Sequence, residues 1–133
     1  MAKEYVYPSR SVHITRKNLG KRVTLKPSKK YVPSGVSFAP TVKKALEGVP
    51  YFYNVSGSDK PRREDWKQRS KWAKKATNWN VYTPVRKRKA IIPKTIDDFS
   101  RTGERRVTDK VKARKIGTVT VSVKNNKWNY KWV

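Results

Sequence analysis

The C-terminal stretch constrains the fold of this chain more than any other part. Val119, Val121 and Val123 alternate with Thr118, Thr120, Ser122 and Lys124, and after Asn125-Asn126 the alternation resumes, with Trp128, Tyr130 and Trp132 set against Lys127, Asn129 and Lys131. Both asparagines tolerate positive φ, so the pair fits a two-residue type I′ turn. The resulting β-hairpin opposes Val123 with Trp128, Val121 with Tyr130 and Val119 with Trp132, and all six side chains share one face. Clean alternation of this kind ordinarily means a sheet face half-buried against a core. The other reading is an aromatic platform for unpaired bases, flanked by lysines.

Upstream, short β-rich runs alternate with turns: Tyr5-Val6-Tyr7, Val12-His13-Ile14-Thr15, Val23-Thr24-Leu25 and Val36-Ser37-Phe38-Ala39, punctuated by Pro8, Gly20, Pro27, Pro33 and Gly35. Residues 41–48 read as a short helix, with Pro40 before it, Val42, Ala45 and Leu46 on one face, and Gly48 at its C-cap. Tyr51-Phe52-Tyr53-Asn54-Val55 reads as a strand, and so does Trp79-Asn80-Val81-Tyr82-Thr83-Pro84-Val85. Between them, Ser58 or Asp59 caps a basic helix of about five turns that ends near Asn78, with Trp72, Ala76 and Trp79 at helical spacing. Thr102-Gly103-Glu104-Arg105 reads as a turn ahead of the last strands. The expected class is therefore α+β: one domain over 1–133 with a compact mixed or antiparallel β core, a short helix and a basic, Trp-containing helical insertion over 58–79, ending in a β-hairpin.

Charge narrows the function. Lys and Arg number 34 against 9 Asp and Glu, a net +25, and such self-repulsion calls for a polyanionic partner. The chain has no cysteine and a single histidine, so thiolate chemistry, Cys-based metal sites and multi-His metal sites are excluded. No apolar run approaches the length of about 20 residues needed to span a bilayer, and the first residues lack an apolar signal core. The expected location is intracellular, in a cytoplasm, a host cell or a virion. No Gly-rich phosphate loop or nucleophile elbow is present.

The cations best placed to track a phosphate backbone are Arg62, Arg63, Lys67, Lys71, Lys74 and Lys75 on the predicted helix and Arg86, Arg88 and Lys89 in the run that follows, with Trp66 as the exposed aromatic. Contacts of Lys and Arg with phosphate position a protein without reading sequence. His13 alone reads as a structural strand histidine, and Glu104 alone as a surface ion-pair partner.

Taken in order, Val12-His13-Ile14-Thr15, Gly35-Val36-Ser37-Phe38-Ala39-Pro40 with its following helix, Asn80-Val81-Tyr82, and Thr102-Gly103-Glu104 followed by Lys115-Ile116-Gly117-Thr118-Val119 resemble a compact ADP-ribosyltransferase-type domain of the small phage and bacterial kind. The resemblance spans about residues 5 to 123. It implies a cleft for NAD in which His13 binds a ribose, Ser37 or Phe38 lies on the nicotinamide side, and Glu104 holds a ribose hydroxyl and stabilises an oxocarbenium-like transition state. The chain departs from that pattern in two places: Ser37-Phe38 stands where the family carries a tyrosine, and Arg105-Arg106 follows Glu104.

Three functions remain open at this stage. The first is a basic protein that binds DNA, RNA or a nucleic-acid-containing assembly on an ADP-ribosyltransferase-like core, without a cofactor. The second is an active NAD-dependent transferase modifying nucleic acid or a protein bound to it. The third is an accessory component of a phage particle or ribonucleoprotein, ordered by the larger assembly. A membrane partner is not expected, because the basic segment lacks a strong apolar face.

Overall fold

A computed structural model of the chain describes residues 4–27, 35–47, 76–92, 103–124 and 127–133. Among them nine strands and one helix follow in the order β1 (Glu4–Val6), β2 (His13–Thr15), β3 (Arg22–Leu25), β4 (Val36–Phe38), α1 (Val42–Glu47), β5 (Thr77–Pro84), β6 (Arg88–Ala90), β7 (Arg105–Val107), β8 (Val111–Lys124) and β9 (Lys127–Trp132). Every strand pairing is antiparallel. Five strands form the main sheet: β2, β5, β8 and β3 in that order, with β9 also on β8. The pairs β1–β6 and β4–β7 form two small sheets.

The fold is thus mostly β, and the α+β class with a basic helix is corrected. The helix α1 has six residues, and Thr77, Asn78 and Trp79, the expected end of the basic helix, are the first residues of β5. The physical reason lies in the period. Trp79 continues the Trp72, Ala76 spacing, but it also begins an alternation with Val81 that pairs along β8, and the ladder with its long partner prevails. The segment 51–55 and the rest of the expected helix lie outside the described residues, and with them Arg62, Arg63, Trp66, Lys67, Lys71, Lys74 and Lys75. No helix among the described residues is long and apolar enough to cross a membrane.

The terminal hairpin pairs in the expected register, Val119 with Trp132, Val121 with Tyr130 and Val123 with Trp128. Val119 and Val121 are buried with Val12, Val42, Leu46, Trp79 and Val81, and Tyr130 packs on them. That end of the hairpin face is core. Trp132 remains 51% exposed, and its ring covers Gly117, where a Cβ would lie 2.8 Å from Cζ3.

A second cluster joins Val6, Leu25, Val36, Phe38, Tyr82, Ala90, Val107, Val111 and Ala113. Val81 belongs to the first cluster and Tyr82 to the second, and adjacent strand residues point to opposite faces, so the two cores lie on opposite sides of β5. On β8 the partners of these two residues jump from Gly117 to Lys115. Ile116 is the extra residue of a bulge, which turns the same odd-numbered pattern to the other face. Among the described residues, each of the two clusters therefore packs on a different face of the main sheet.

Candidate functional site

Val12 and Ala39 exchange two backbone hydrogen bonds, of 2.8 and 2.9 Å, which set the start of β2 beside the end of β4. Ser37 on β4 pairs with Arg106 on β7. Gly103 precedes β7 with φ of 68° and a Cβ position 3.1 Å from Pro40 Cγ, so the turn that delivers Glu104 demands glycine twice over. These three connections bring His13, Ser37 and Glu104 together. His13 Nδ1 donates to the Ser37 carbonyl at 2.8 Å, and the Ser37 hydroxyl donates to Glu104 Oε1. Because a carbonyl can only accept, Nδ1 carries the proton of the neutral ring and Nε2 is left as an acceptor. Burial lowers the pKa of His13 below its usual value, and the bond to Ser37 opposes this more weakly. The Phe38 ring lies 5.9 Å from the imidazole at a tilt of 58°.

Glu104 is ion-paired as well. Arg106 Nε donates to the same Oε1 at 3.1 Å, and the two side chains are only 5% and 10% exposed. A buried carboxylate needs such a partner, because taking an unpaired charge out of water costs several kcal/mol. Among the described residues no donor reaches Glu104 Oε2, while Oε1 takes both bonds. Gly35 permits the packing beside Arg106: a Cβ on it would stand 2.9 Å from Arg106 Cβ and 3.0 Å from the Val107 carbonyl. No group of three or more His, Asp or Glu among the described residues could hold a metal.

Two other described carboxylates are also tied to arginine. Glu4 meets Arg105 at 3.3 Å, and Asp109 meets Arg88 at 3.8 Å. All three pairs lie on or beside the two small sheets. The five strands of the main sheet, by contrast, contain no Asp or Glu, and they carry Arg22, Lys112, Arg114, Lys115, Lys124, Lys127 and Lys131. Arg22 stands directly opposite Arg114, and Thr24 opposite Lys112. Arg22, Lys112 and Arg114 are exposed, and no carboxylate among the described residues pairs with them. Among the described residues, the Arg114 side chain donates to the Ser9 hydroxyl, at 3.3 Å. Val85 donates its amide to the Lys112 carbonyl, so the Arg86-Lys87 turn leaves the sheet beside this strip.

Of the cations expected from sequence in this region, Arg86 and Lys89 are exposed. Arg88 is held on the inner side by Asp109 and by the Lys110 carbonyl at 2.9 Å. Sequence reasoning passed over Arg22, Lys112 and Arg114 because they belong to no dense run. The signal that would have found Lys112 and Arg114 is the lack of any acid from Val111 to the end of the chain, and Arg22 joins them only through the β3–β8 register. No protein-family model matches this chain, and no curated protein or solved structure does so either, so its function has to be argued from these residues.

Proposed function

We propose that this protein binds nucleic acid electrostatically, through the acid-free face of its main sheet. The observation that carries the reading is the segregation of charge. Glu4, Glu104 and Asp109 are taken up by Arg105, Arg106 and Arg88, while Arg22, Lys112 and Arg114 face water with no counter-charge among the described residues. In a chain of net +25, such a strip concentrates positive potential, and a phosphate backbone that displaces its own counterions relieves it. Arg86 and Lys89 extend the strip across the adjoining turn. The contacts are of the positioning kind, which carry affinity and little sequence preference.

The test is anisotropy of a labelled oligonucleotide against salt. Lys112→Glu combined with Arg114→Glu weakens binding to every sequence and lowers the log–log salt slope by about two. Unchanged affinity and slope would remove the strip from the interface.

A second reading rests on the hydrogen-bonded series His13, Ser37, Glu104. In an ADP-ribosyltransferase-like cleft, NAD would take a ribose hydroxyl on Glu104 Oε2, the oxygen without a donor. Arg106 and Ser37 would hold the carboxylate in place by its other oxygen. The check is NAD consumption by the wild type beside Glu104→Gln, with nucleic acid present and absent. Turnover abolished by the substitution supports an enzyme, and absence of turnover in the wild type leaves the binding reading alone.

A further inference from the structure

The small sheet β1–β6 has a face of different character. Tyr5 opposes Lys89 and Val6 opposes Arg88, so Tyr5 and Lys89 share one face while Val6 and Arg88 occupy the other. The inner face is structural: Val6 is buried in the second core and Arg88 is tied to Asp109. Outward, Tyr5 and Tyr7 lie with ring centroids 6.1 Å apart at a tilt of 55°. Lys87 Nζ stands 4.4 Å from the centre of the Tyr5 ring and 5.9 Å from that of Tyr7. Tyr7 is 41% exposed, and Lys87 and Lys89 are exposed as well. Two aromatic faces and two cations without carboxylate partners among the described residues thus stand on one short ribbon, at the end of the turn that leaves the strip beside Lys112.

From this arrangement we infer that Tyr5 and Tyr7 form a stacking platform for the bases of an unpaired nucleic-acid strand, with Lys87 and Lys89 on its phosphates. The inference rests on the proposed electrostatic binding and adds the form of ligand to it. A duplex keeps its base faces stacked inside and offers nothing to a tyrosine ring, whereas an unpaired strand presents a π-face with every base. Lys87 is exposed and covers the half-buried Tyr5 ring from a flexible stem, and a cation held in contact with water binds a ring weakly. A phosphate draws it off and leaves the ring to a base. The occupant is fixed by charge complementarity, since the ribbon joins a cationic strip and its own outer face bears no acid.

The experiment compares oligothymidine, oligouridine, an abasic phosphodiester chain and a duplex, each of about fifteen nucleotides, by anisotropy at low salt. The wild type binds the base-bearing strands at least about tenfold more tightly than the abasic chain. Tyr7→Ala loses most of that preference with unchanged affinity for the abasic chain, and Tyr7→Phe keeps it. Lys87→Gln keeps the preference and flattens the salt slope by about one. The two base-bearing probes also distinguish DNA from RNA. An unaltered melting temperature for Tyr7→Ala excludes a folding defect, and Tyr5→Leu provides the second variant. Equal binding of abasic and base-bearing strands by the wild type, or a preference surviving both tyrosine substitutions, overturns the inference while leaving salt-dependent binding intact. Failure of the wild type to bind any of the four probes overturns both readings.

Discussion

The two small sheets and the main sheet use cations in opposite ways. On the small sheets Arg88, Arg105 and Arg106 each hold a carboxylate, and the tightest pair is sealed from water. On the main sheet, Arg22 and Arg114 face each other, and no acid among the described residues pairs with them. An arginine paired with an acid inside the fold becomes costly to remove alone, and one opposed by another arginine detracts from stability. The same residue type therefore marks architecture in one region and a demand for an external anion in the other. Total charge, which cannot separate the two, is a poorer guide than the pairing of each acid.

The sharpest way to break this comparison is at Arg106. Arg106→Leu leaves the Glu104 carboxylate buried without its charge partner and costs about 3–5 kcal/mol, a large share of the roughly 5–15 kcal/mol that holds a small domain together. Urea unfolding measures it. The double variant with Glu104→Leu recovers much of the loss, because the buried carboxylate is removed as well. A loss below about 1 kcal/mol in the single variant would mean that the pair is not structural and that the contrast between the sheets is false.

Gly35→Ala is expected next in size. The new Cβ meets Arg106 Cβ at 2.9 Å and the Val107 carbonyl at 3.0 Å, and backbone cannot yield as a flexible side-chain tip does. Overpacking of this kind costs about 1–3 kcal/mol. It also pushes β4 from β7, so hydrogen exchange at the paired amides of Val36–Phe38 should accelerate with it.

Much of this architecture was legible locally, and the exceptions have a common cause. The hairpin register follows from an alternation and an Asn-Asn turn close together in sequence, and β2, β3 and β4 begin or end within a residue of their apolar runs. The helix expected to reach Asn78 failed because Trp79 fits two periods, and only its distant partner β8 decides between them. His13, Ser37 and Glu104 were named together only through a family resemblance. That Arg106 rather than Arg105 takes Glu104 depends on strand parity, which places Arg106 inward opposite Ser37. The tyrosine ribbon was equally hidden, since Tyr5-Val6-Tyr7 reads as any short strand until Lys87 and Lys89 are brought against it from the other half of the chain.

His13 sharpens the comparison from the side of pH. Its pKa in the fold lies below the unfolded value of 6.5, chiefly through desolvation. As pH falls through 6.5 the unfolded chain takes up a proton that the folded chain still refuses, so stability is lost on acidification between 6.5 and the lowered native value. One such proton sets a limit of about 1.4 kcal/mol per pH unit on the slope. Unfolding measured from pH 7 to pH 5 shows this slope in the wild type and a flatter one in His13→Gln. Equal slopes would mean that the buried site does not disfavour the imidazolium.

The smallest expected effect carries the opposite sign, and it is the one that most directly separates the two regions. Arg22 stands across from Arg114 and both are exposed; like charges so placed repel, and a β-branched residue suits the pairing. Arg22→Thr should therefore raise stability by a few tenths of a kcal/mol at low salt, and this gain should vanish as screening shortens the reach of the repulsion to a few ångströms. The same substitution should weaken oligonucleotide binding and lower its salt slope by about one. A residue that the fold would be better without, yet that the ligand needs, is what a binding surface contains. If Arg22→Thr instead destabilised the protein and left binding unchanged, the arginines of the main sheet would belong with those of the small sheets, and the division of labour between the regions would be gone.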